Sequence, residues 1–85
     1  MNCSTELKII RRPAVLNTFG FEKSTLYNRI DDDLIPPPVS LGGLRAVGWI
    51  HHEIQAVLAA MCSGASQEEI KVIVQELIIK RQQFK

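Results

Sequence analysis

Phe19 to Ile35 read FGFEKSTLYNRIDDDLI, and this stretch decides the fold. Gly20 predicts the end of one short helix, and a second helix is expected from about Glu22 to Asp32. The apolar residues of the second helix recur at i, i+4 and i+8, which gives it a single narrow apolar stripe. The stripe consists of Leu26, Ile30 and Leu34. The sequence therefore predicts an amphipathic helix with one side against a core.

The opposite face of this second helix carries side chains that are unusual for a solubilising surface. A step of about 100° per residue places hydroxyl, amide and phenol groups there, flanked by two basic side chains, instead of paired Glu and Lys. Such groups contact base edges and phosphates in a DNA groove, so we interpret the element as a recognition helix. The predicted DNA-facing residues are Lys23, Ser24, Thr25, Tyr27, Asn28 and Arg29, with Asp31 on the same face.

The segment before Gly20 predicts the first helix of a pair. Residues 8–12 are partly β-branched and are expected to be extended. Pro13 suits the first turn of a helix, because the N–H that it lacks would be unpaired there. Val15 and Phe19 belong to an apolar side of this helix. Because only a few residues join the two helices, the pattern predicts a helix-turn-helix.

A β-hairpin is predicted after the helix pair. The prolines at 36–38 end helical structure, because proline lacks the N–H donor and clashes with the preceding turn. Strands are expected at 39–41 and 46–50 around a tight turn at Gly42-Gly43. Arg45 follows the tip, where a wing would contact phosphate or the minor groove. An ordinary hairpin with a solvated arginine is the alternative.

Two further helices are predicted in the rest of the chain. Apolar residues recur at i, i+3, i+4 and i+7 within 51–62 and indicate a core-facing helix, with Trp49 in the core just before it. Ser66 and Glu69 form a capping-box pattern that opens a last helix, to about Gln82. The last helix is apolar over more than one face, which is typical of a partner interface, so we expect it to mediate dimerisation. The predicted oligomerisation residues are Ile70, Ile73, Val74, Leu77 and Ile78.

Length and composition favour a small intracellular protein. A chain of 85 residues that is 46% hydrophobic supports one modest core. We expect a winged helix-turn-helix domain over 1–64 and a C-terminal self-association helix over 65–85, hence a mainly α fold with a small β-hairpin. The net charge of +1 argues against indiscriminate binding to nucleic acid. No apolar run is long enough for a bilayer and no signal-peptide pattern is present, so a cytoplasmic protein is expected.

Residue types used in catalysis and metal binding occur without the spacing that either chemistry needs. The acids at 31–33 diverge at a helix end and favour a solvated face or a brake on non-specific DNA binding over a metal site. The histidines at 51–52, with Cys3 and Cys62, match no common zinc signature, and both cysteines are expected to be reduced thiols. We therefore expect no enzyme activity, cofactor, metal or small-molecule ligand.

Three runs in order, STLYNRI, IPPPVSLGGLRAVGW and HHEIQAVLAA, resemble the AlpA family of phage and prophage regulators over about residues 8–60. These are small relatives of MerR-type winged-helix domains and of phage excisionases. The resemblance implies a helix-turn-helix with a hairpin wing, and a role in regulating integrated elements or in excising them. By position it implies a recognition helix over 22–30 and a wing that carries Arg45, with Leu44 as a one-residue insertion at the tip.

The function expected from the sequence is a DNA-binding regulator of a prophage or integrated element, with the recognition helix in the major groove. Arg12, Arg29 and Arg45 would make positioning contacts to the backbone. Because one such domain reads few base pairs, a homodimer on double-stranded DNA is expected. The alternatives are an excision factor that bends DNA, or a protein-interaction adaptor or anti-repressor that uses the C-terminal helix.

Overall fold

The computed structural model of the protein describes residues 7–43 and 45–84. The expectations for Cys3 and Leu44 lie outside the described residues. Over the described ranges the fold is mainly helical with a small antiparallel sheet, which confirms the predicted winged helix-turn-helix. In the same ranges, no helix is both long and apolar enough to cross a membrane. The elements are β1 (Ile9–Ile10), α1 (Arg12–Phe19), α2 (Lys23–Asp31), β2 (Val39–Ser40), β3 (Val47–Ile50), α3 (His51–Cys62), α4 (Gln67–Lys80) and a final 3-10 turn (Arg81–Phe84).

The turn between α1 and α2 forms as the sequence predicts. Gly20 has a left-handed backbone with φ of 73°, and its N–H donates to the carbonyl of Leu16 at 2.8 Å. The N–H of Phe21 donates to the same carbonyl at 3.0 Å. This glycine conformation satisfies the end of α1 and reverses the chain. Helix α2 then begins at Lys23, with Glu22 as the preceding cap residue.

The end of α2 corrects one feature of the predicted apolar stripe. Asp33 has a φ of 62°, a left-handed conformation that ends the helix, and the N–H of Leu34 donates back to the carbonyl of Arg29 at 2.9 Å. Leu34 therefore lies beyond α2 and does not continue the stripe of Leu26 and Ile30. It is buried in a different part of the core.

The sheet contains a strand pairing that the sequence did not predict. The order is β1-β3-β2 and both pairings are antiparallel, with Ile9 opposite Ile50 and Val39 opposite Gly48. The segment expected to be merely extended before α1 is thus the outer strand β1. Gly48 is required at the centre, because a Cβ there would overlap Cγ2 of Ile9 and lie 3.1 Å from the carbonyl oxygen of Ile10.

The wing, residues 39–50, forms where the sequence predicts it. The N–H of Leu41 donates to the carbonyl of Ala46 at 2.7 Å, and the N–H of Ala46 donates to that of Gly43 at 3.2 Å. Each strand is one residue shorter on the loop side than predicted, since β2 ends at Ser40 and β3 begins at Val47. Arg45 completes the loop with a φ of 62°, which is costly for a residue with a side chain.

Two clusters of buried side chains form the core. The first lies under the helix-turn-helix and the wing and contains Val15, Leu26, Ile35, Trp49 and Ile54. Its centre is Trp49, which is 1% exposed, so the expectation that Trp49 is a core residue is confirmed. The second joins the end of α2 to the last two helices and contains Leu34, Val57, Ile70, Val74 and Leu77.

Helix α4 belongs to this second cluster, so the residues predicted to mediate oligomerisation pack against the core of their own chain. Ile70, Val74 and Leu77 are buried, and Ile73 and Ile78 pack against them half-buried. The stripe faces inward because it covers apolar side chains of the winged domain, such as Leu34 and Val57. The strongly exposed apolar residues of α4 are Val72 and Ile79. Dimerisation through α4 stays a prediction, and these two residues are its accessible apolar surface.

A buried ion pair fastens the C-terminal turn to the rest of the fold. Arg81 donates to both carboxylate oxygens of Glu53, through Nε at 2.8 Å and a terminal nitrogen at 2.6 Å. The same terminal nitrogen donates to the carbonyl of Pro37 at 2.9 Å. Glu53 is 1% exposed, so both oxygens of a buried charge are satisfied. Arg81 therefore joins α3, the segment before the wing and the end of α4.

Candidate nucleic-acid interface

The outer face of α2 is polar and accessible. Because Leu26 points into the first core cluster, the opposite side of the helix is turned to solvent. Lys23, Ser24 and Asn28 are exposed, Tyr27 is 37% exposed, and Thr25 is half-buried at the edge of this face. The residues predicted to read bases therefore share one accessible surface.

Arg29 has a different environment from the other predicted contact residues of α2. Its side chain is half-buried, and its guanidinium carbon lies 5.2 Å from the centre of the Phe21 ring. The Phe21 ring in turn stacks on that of Phe19, with centres 5.1 Å apart. A cation over an aromatic face is attracted by the ring quadrupole, so Arg29 helps to hold the turn between α1 and α2. Its predicted contact with DNA backbone stays a prediction.

A cleft of about 550 Å³ lies between the start of α1, the side of α2 and the wing. Its lining residues are Arg11, Arg12, Pro13, Tyr27, Arg45, Val47 and Trp49. Across it, a terminal nitrogen of Arg12 donates to the Tyr27 hydroxyl at 3.5 Å. The Tyr27 side chain thus belongs both to the polar face of α2 and to the lining of the cleft, and the cleft extends from there to the wing.

The cleft brings together three of the predicted contact residues, Arg12, Tyr27 and Arg45. The other predicted contacts lie outside it, along α2. The sequence-based set missed Arg11, which lines the cleft beside Arg12. The sequence did contain a signal for Arg11. Arg11 is the cap residue of α1 and Arg12 is its first helical residue, so both side chains lie at the same end of the helix.

The electrostatics of the cleft are strongly one-sided. None of the described residues that line it is acidic, and three are arginines. Within the described part of the chain, the salt bridges are Lys71–Glu68 and Arg81–Glu53, so neither uses a cleft arginine. A locally positive concave surface attracts anions even where the net charge of the protein is near zero.

The acids at 31–33 lie at the other end of α2 and are exposed. In the part of the chain that the structure describes, no cluster of three His, Cys, Asp or Glu side chains is placed to hold a metal ion. The surface suited to binding is therefore the polar face of α2 together with the basic cleft. Its geometry fits a polyanion with a groove.

Comparison with known proteins places the chain in a family. The family model described as prophage CP4-57 regulatory protein (AlpA) matches residues 8–61, from the residue before β1 to nearly the end of α3. The chain is 38% identical over 60 residues to the uncharacterized protein ORF88 of Enterobacteria phage P4, which covers 71% of this chain and 67% of that protein. It is 31% identical over 67 residues to the DNA-binding transcriptional activator AlpA of Escherichia coli K12, which covers 73% of this chain and 96% of that protein. No solved structure gives a significant match. The chain belongs to the AlpA family of phage and prophage regulatory proteins.

Proposed function

We propose that the protein is a sequence-specific DNA-binding transcriptional regulator of a prophage or other integrated element. The observation that carries the proposal is the continuity of the α2 face with the basic cleft, since Tyr27 belongs to both and Arg45 of the wing closes the far side. An E. coli relative is named a DNA-binding transcriptional activator, which supports the same role here. The DNA of an integrated element lies in the cytoplasm, where the protein would act without enzyme activity.

Helix α2 would enter the major groove with its exposed face against the bases. The Asn28 amide has the donor and acceptor geometry that pairs with adenine, and the hydroxyls of Ser24 and Thr25 contact either base type or phosphate. Lys23 at the start of the helix would contact backbone. On this placement the wing lies along the neighbouring backbone, and Arg12 and Arg45 fix the register of the protein on the duplex.

A single copy of this surface would read only a short site. Useful specificity therefore requires two copies on two half-sites, about one helical turn or a multiple apart. The exposed Val72 and Ile79 of α4 are candidates for the contact between copies. In this proposal α4 stabilises the winged domain with its inner face and dimerises with its outer one.

The test is selection from a random duplex library with the full chain, followed by binding measurements on the recovered sites at two salt concentrations. We expect a consensus whose half-site spacing reports the dimer, with affinity that falls as salt rises. Asn28→Ala should reduce discrimination at one base pair by about 1–3 kcal/mol. Gln55→Ala removes an exposed amide on α3, away from α2 and from the outer face of α4, and serves as the matched control, with no expected effect.

Two results would overturn the proposal. If no sequence is enriched and a partner protein is captured in its place, the chain acts as an adaptor. If a consensus is recovered but Asn28→Ala and Gln55→Ala bind it equally well, α2 is not the reading element. An excision factor would be distinguished by strong bending of the duplex in a circular-permutation assay, because bending rather than base contact then carries its action.

A further inference from the structure

We propose that the cleft between α1, α2 and the wing is a seat for one phosphate group, held by Arg11, Arg12 and Arg45. This inference rests on the proposed function in one respect, because the DNA backbone is then the source of the phosphate. It goes beyond that function by fixing where the backbone lies on the protein. It also assigns a binding role to Arg11.

The three arginines reach the cleft from two parts of the chain. Arg11 precedes α1, Arg12 is its first residue, and Arg45 lies on the wing loop across from them. Pro13 and Trp49 form apolar parts of the same wall. A guanidinium presents several N–H donors in a planar fork that matches phosphate oxygens. Three such groups around one cavity surround an anion from different directions.

These charges are brought together without a compensating carboxylate. No described residue that lines the cleft is acidic, and among the described residues none of these arginines takes part in a salt bridge. Like charges that line one cavity repel one another, and the repulsion is relieved when an anion binds between them. The arrangement therefore favours an anionic ligand over an empty cleft.

The start of α1 adds to the same field. The first N–H groups of a helix have no intrahelical partner and carry the positive end of the helix dipole. Among the described residues, no side chain caps this end, and the first turn of α1 contains no acidic residue. Pro13 has no N–H, and Val15 already donates to the carbonyl of Arg11, so the N–H groups of Arg12 and Ala14 are the donors that the first turn offers to a ligand.

Tyr27 and Arg45 show that the cleft has a defined geometry. The Tyr27 hydroxyl accepts a hydrogen bond from Arg12 at 3.5 Å, which leaves its own proton free to donate to a phosphate oxygen. Arg45 keeps a left-handed φ of 62°, although glycine would adopt it without strain. The side chain at 45 is therefore kept at a conformational cost, as is frequent at binding sites.

The experiment follows salt dependence in variants of the full chain. Arg11→Ala should weaken binding to every duplex about tenfold at low salt, the effect of one lost charge-assisted contact, and leave the selected consensus unchanged. The slope of log affinity against log salt should fall, by at most about 0.9, the full value for one phosphate, because Arg12 and Arg45 still contact the group. Arg11→Lys should keep most of the slope. Lys80→Ala removes an exposed positive charge on α4 and should change neither quantity.

Arg45→Gly is the second variant, because it removes the side chain and relieves the strained backbone together. It should also lower the salt slope, again by at most about 0.9, while its melting temperature stays within a few degrees of the wild-type value. A duplex with one neutral methylphosphonate locates the phosphate. The position whose replacement weakens binding of the wild-type protein should weaken binding of Arg11→Ala by a smaller factor, because one of the three contacts is already absent.

A direct readout comes from the single tryptophan, which lines the cleft. Titration with inorganic phosphate should shift the indole N–H resonance of Trp49 in the wild type and not in Arg11→Ala. If that result holds but neither arginine variant changes the salt slope, the seat takes a free phosphate and its assignment to DNA is overturned. If phosphate shifts both proteins equally and the slope is unchanged, the seat itself is overturned. Failure of the wild type to bind any duplex would instead refute the proposed function.

Discussion

The two sides of this small fold treat arginine in opposite ways. On the α3–α4 side, Arg81 is bound by both oxygens of the buried Glu53 and by the carbonyl of Pro37. On the side of α2 and the wing, Arg11 and Arg45 line an open cleft and form no salt bridge within the described residues. Charge that is matched inside the molecule stabilises the fold, and charge that is left unmatched is available to a ligand.

The helix starts repeat the same difference. At α4, the side chain of Ser66 accepts from the N–H of Glu69 at 3.2 Å, and the Glu69 carboxylate accepts from the N–H of Ser66 at 2.8 Å. At α2, Glu22 occupies the cap position and, among the described residues, makes no side-chain bond to the helix. The start of α4 is therefore capped by side chains and the start of α2 is not, and relaxed local rules of this kind are typical of functional sites.

The largest expected loss of stability concerns the α3–α4 side, where the charge of Arg81 is paired with that of Glu53. Arg81→Ala leaves the Glu53 carboxylate buried without a partner, so the free energy of unfolding should fall by about 3–5 kcal/mol in denaturant titration. The matched control is Lys80→Ala, which truncates an exposed neighbour and should cost less than about 0.5 kcal/mol. A loss below about 1 kcal/mol for Arg81→Ala would mean that the pair behaves as a surface ion pair, and the contrast between the two sides would disappear.

A double variant separates the missing partner from the lost packing. Glu53→Leu combined with Arg81→Met replaces both charges by apolar groups of similar size. Because no unpaired charge remains, this protein should be more stable than Arg81→Ala alone. If it is less stable, the unpaired charge of Glu53 is not the main cause of the loss in Arg81→Ala, because both proteins lack the Arg81 hydrogen bond to Pro37.

The ion pair also shows where sequence reasoning ended. Glu53 reads as an ordinary acid in the first turn of a helix, and its partner lies 28 residues away, so only the packing of α4 brings them together. Local signals did predict the helix-turn-helix, the wing and the Ser66 capping box, because each depends on neighbouring residues. The inward direction of the Ile70 stripe depended on which long-range surface α4 covers, and periodicity alone carries no such information.

In the candidate site, too, the sequence predicted the part that depends on local pattern and missed the part that depends on long-range packing. Helical periodicity predicted the exposed face of α2, because one buried residue, Leu26, fixes the direction of the others. The cleft depends on a strand pairing between β1 and β3, which the sequence did not indicate. That pairing sets Arg11 next to the wing, so Arg11 was missed although Arg12 was predicted.

The second prediction concerns this strand pairing. Gly48→Ala places a Cβ against Cγ2 of Ile9, so β1 must shift, and the free energy of unfolding should fall by about 1–3 kcal/mol. Because β1 leads directly into Arg11, DNA affinity should fall as well. Ile9→Ala removes the overlapping methyl group, so the double variant should lose less than the sum of the two single changes.

Gly43→Ala is the control for that prediction, since the added Cβ would lie 3.3 Å from Cβ of Ala46 in the wing loop and would not touch β1. Its cost should be smaller than that of Gly48→Ala. Additive effects of Gly48→Ala and Ile9→Ala in thermal unfolding would show that the close approach of β1 to β3 is not the cause.

The smallest effect is expected at the start of α4. Ser66→Ala removes the cap and should lower the free energy of unfolding by about 1 kcal/mol, with no change in the salt slope of DNA binding. The hydrogen bond from the Ser66 backbone, and then that from its side chain, lower the pKa of Glu69 below its ordinary value of 4.5. The carboxylate thus stabilises the fold above pH 4.5, and this contribution is lost as the pH falls through the lowered pKa.

Glu69→Gln separates the charge of the capping box from its hydrogen bond, because glutamine still accepts from the Ser66 N–H but does not titrate. Its stability deficit relative to the wild type should be greatest near neutral pH and should shrink once Glu69 of the wild type is protonated. The measurement is thermal unfolding of both proteins from pH 3 to pH 7. A stability deficit that does not change with pH would show that the charge of Glu69 does not contribute to this cap. A change in DNA affinity in Ser66→Ala would be more serious. It would show that the α4 side takes part in binding, because a cap that only stabilises its own helix has no means of altering the phosphate contacts of the cleft.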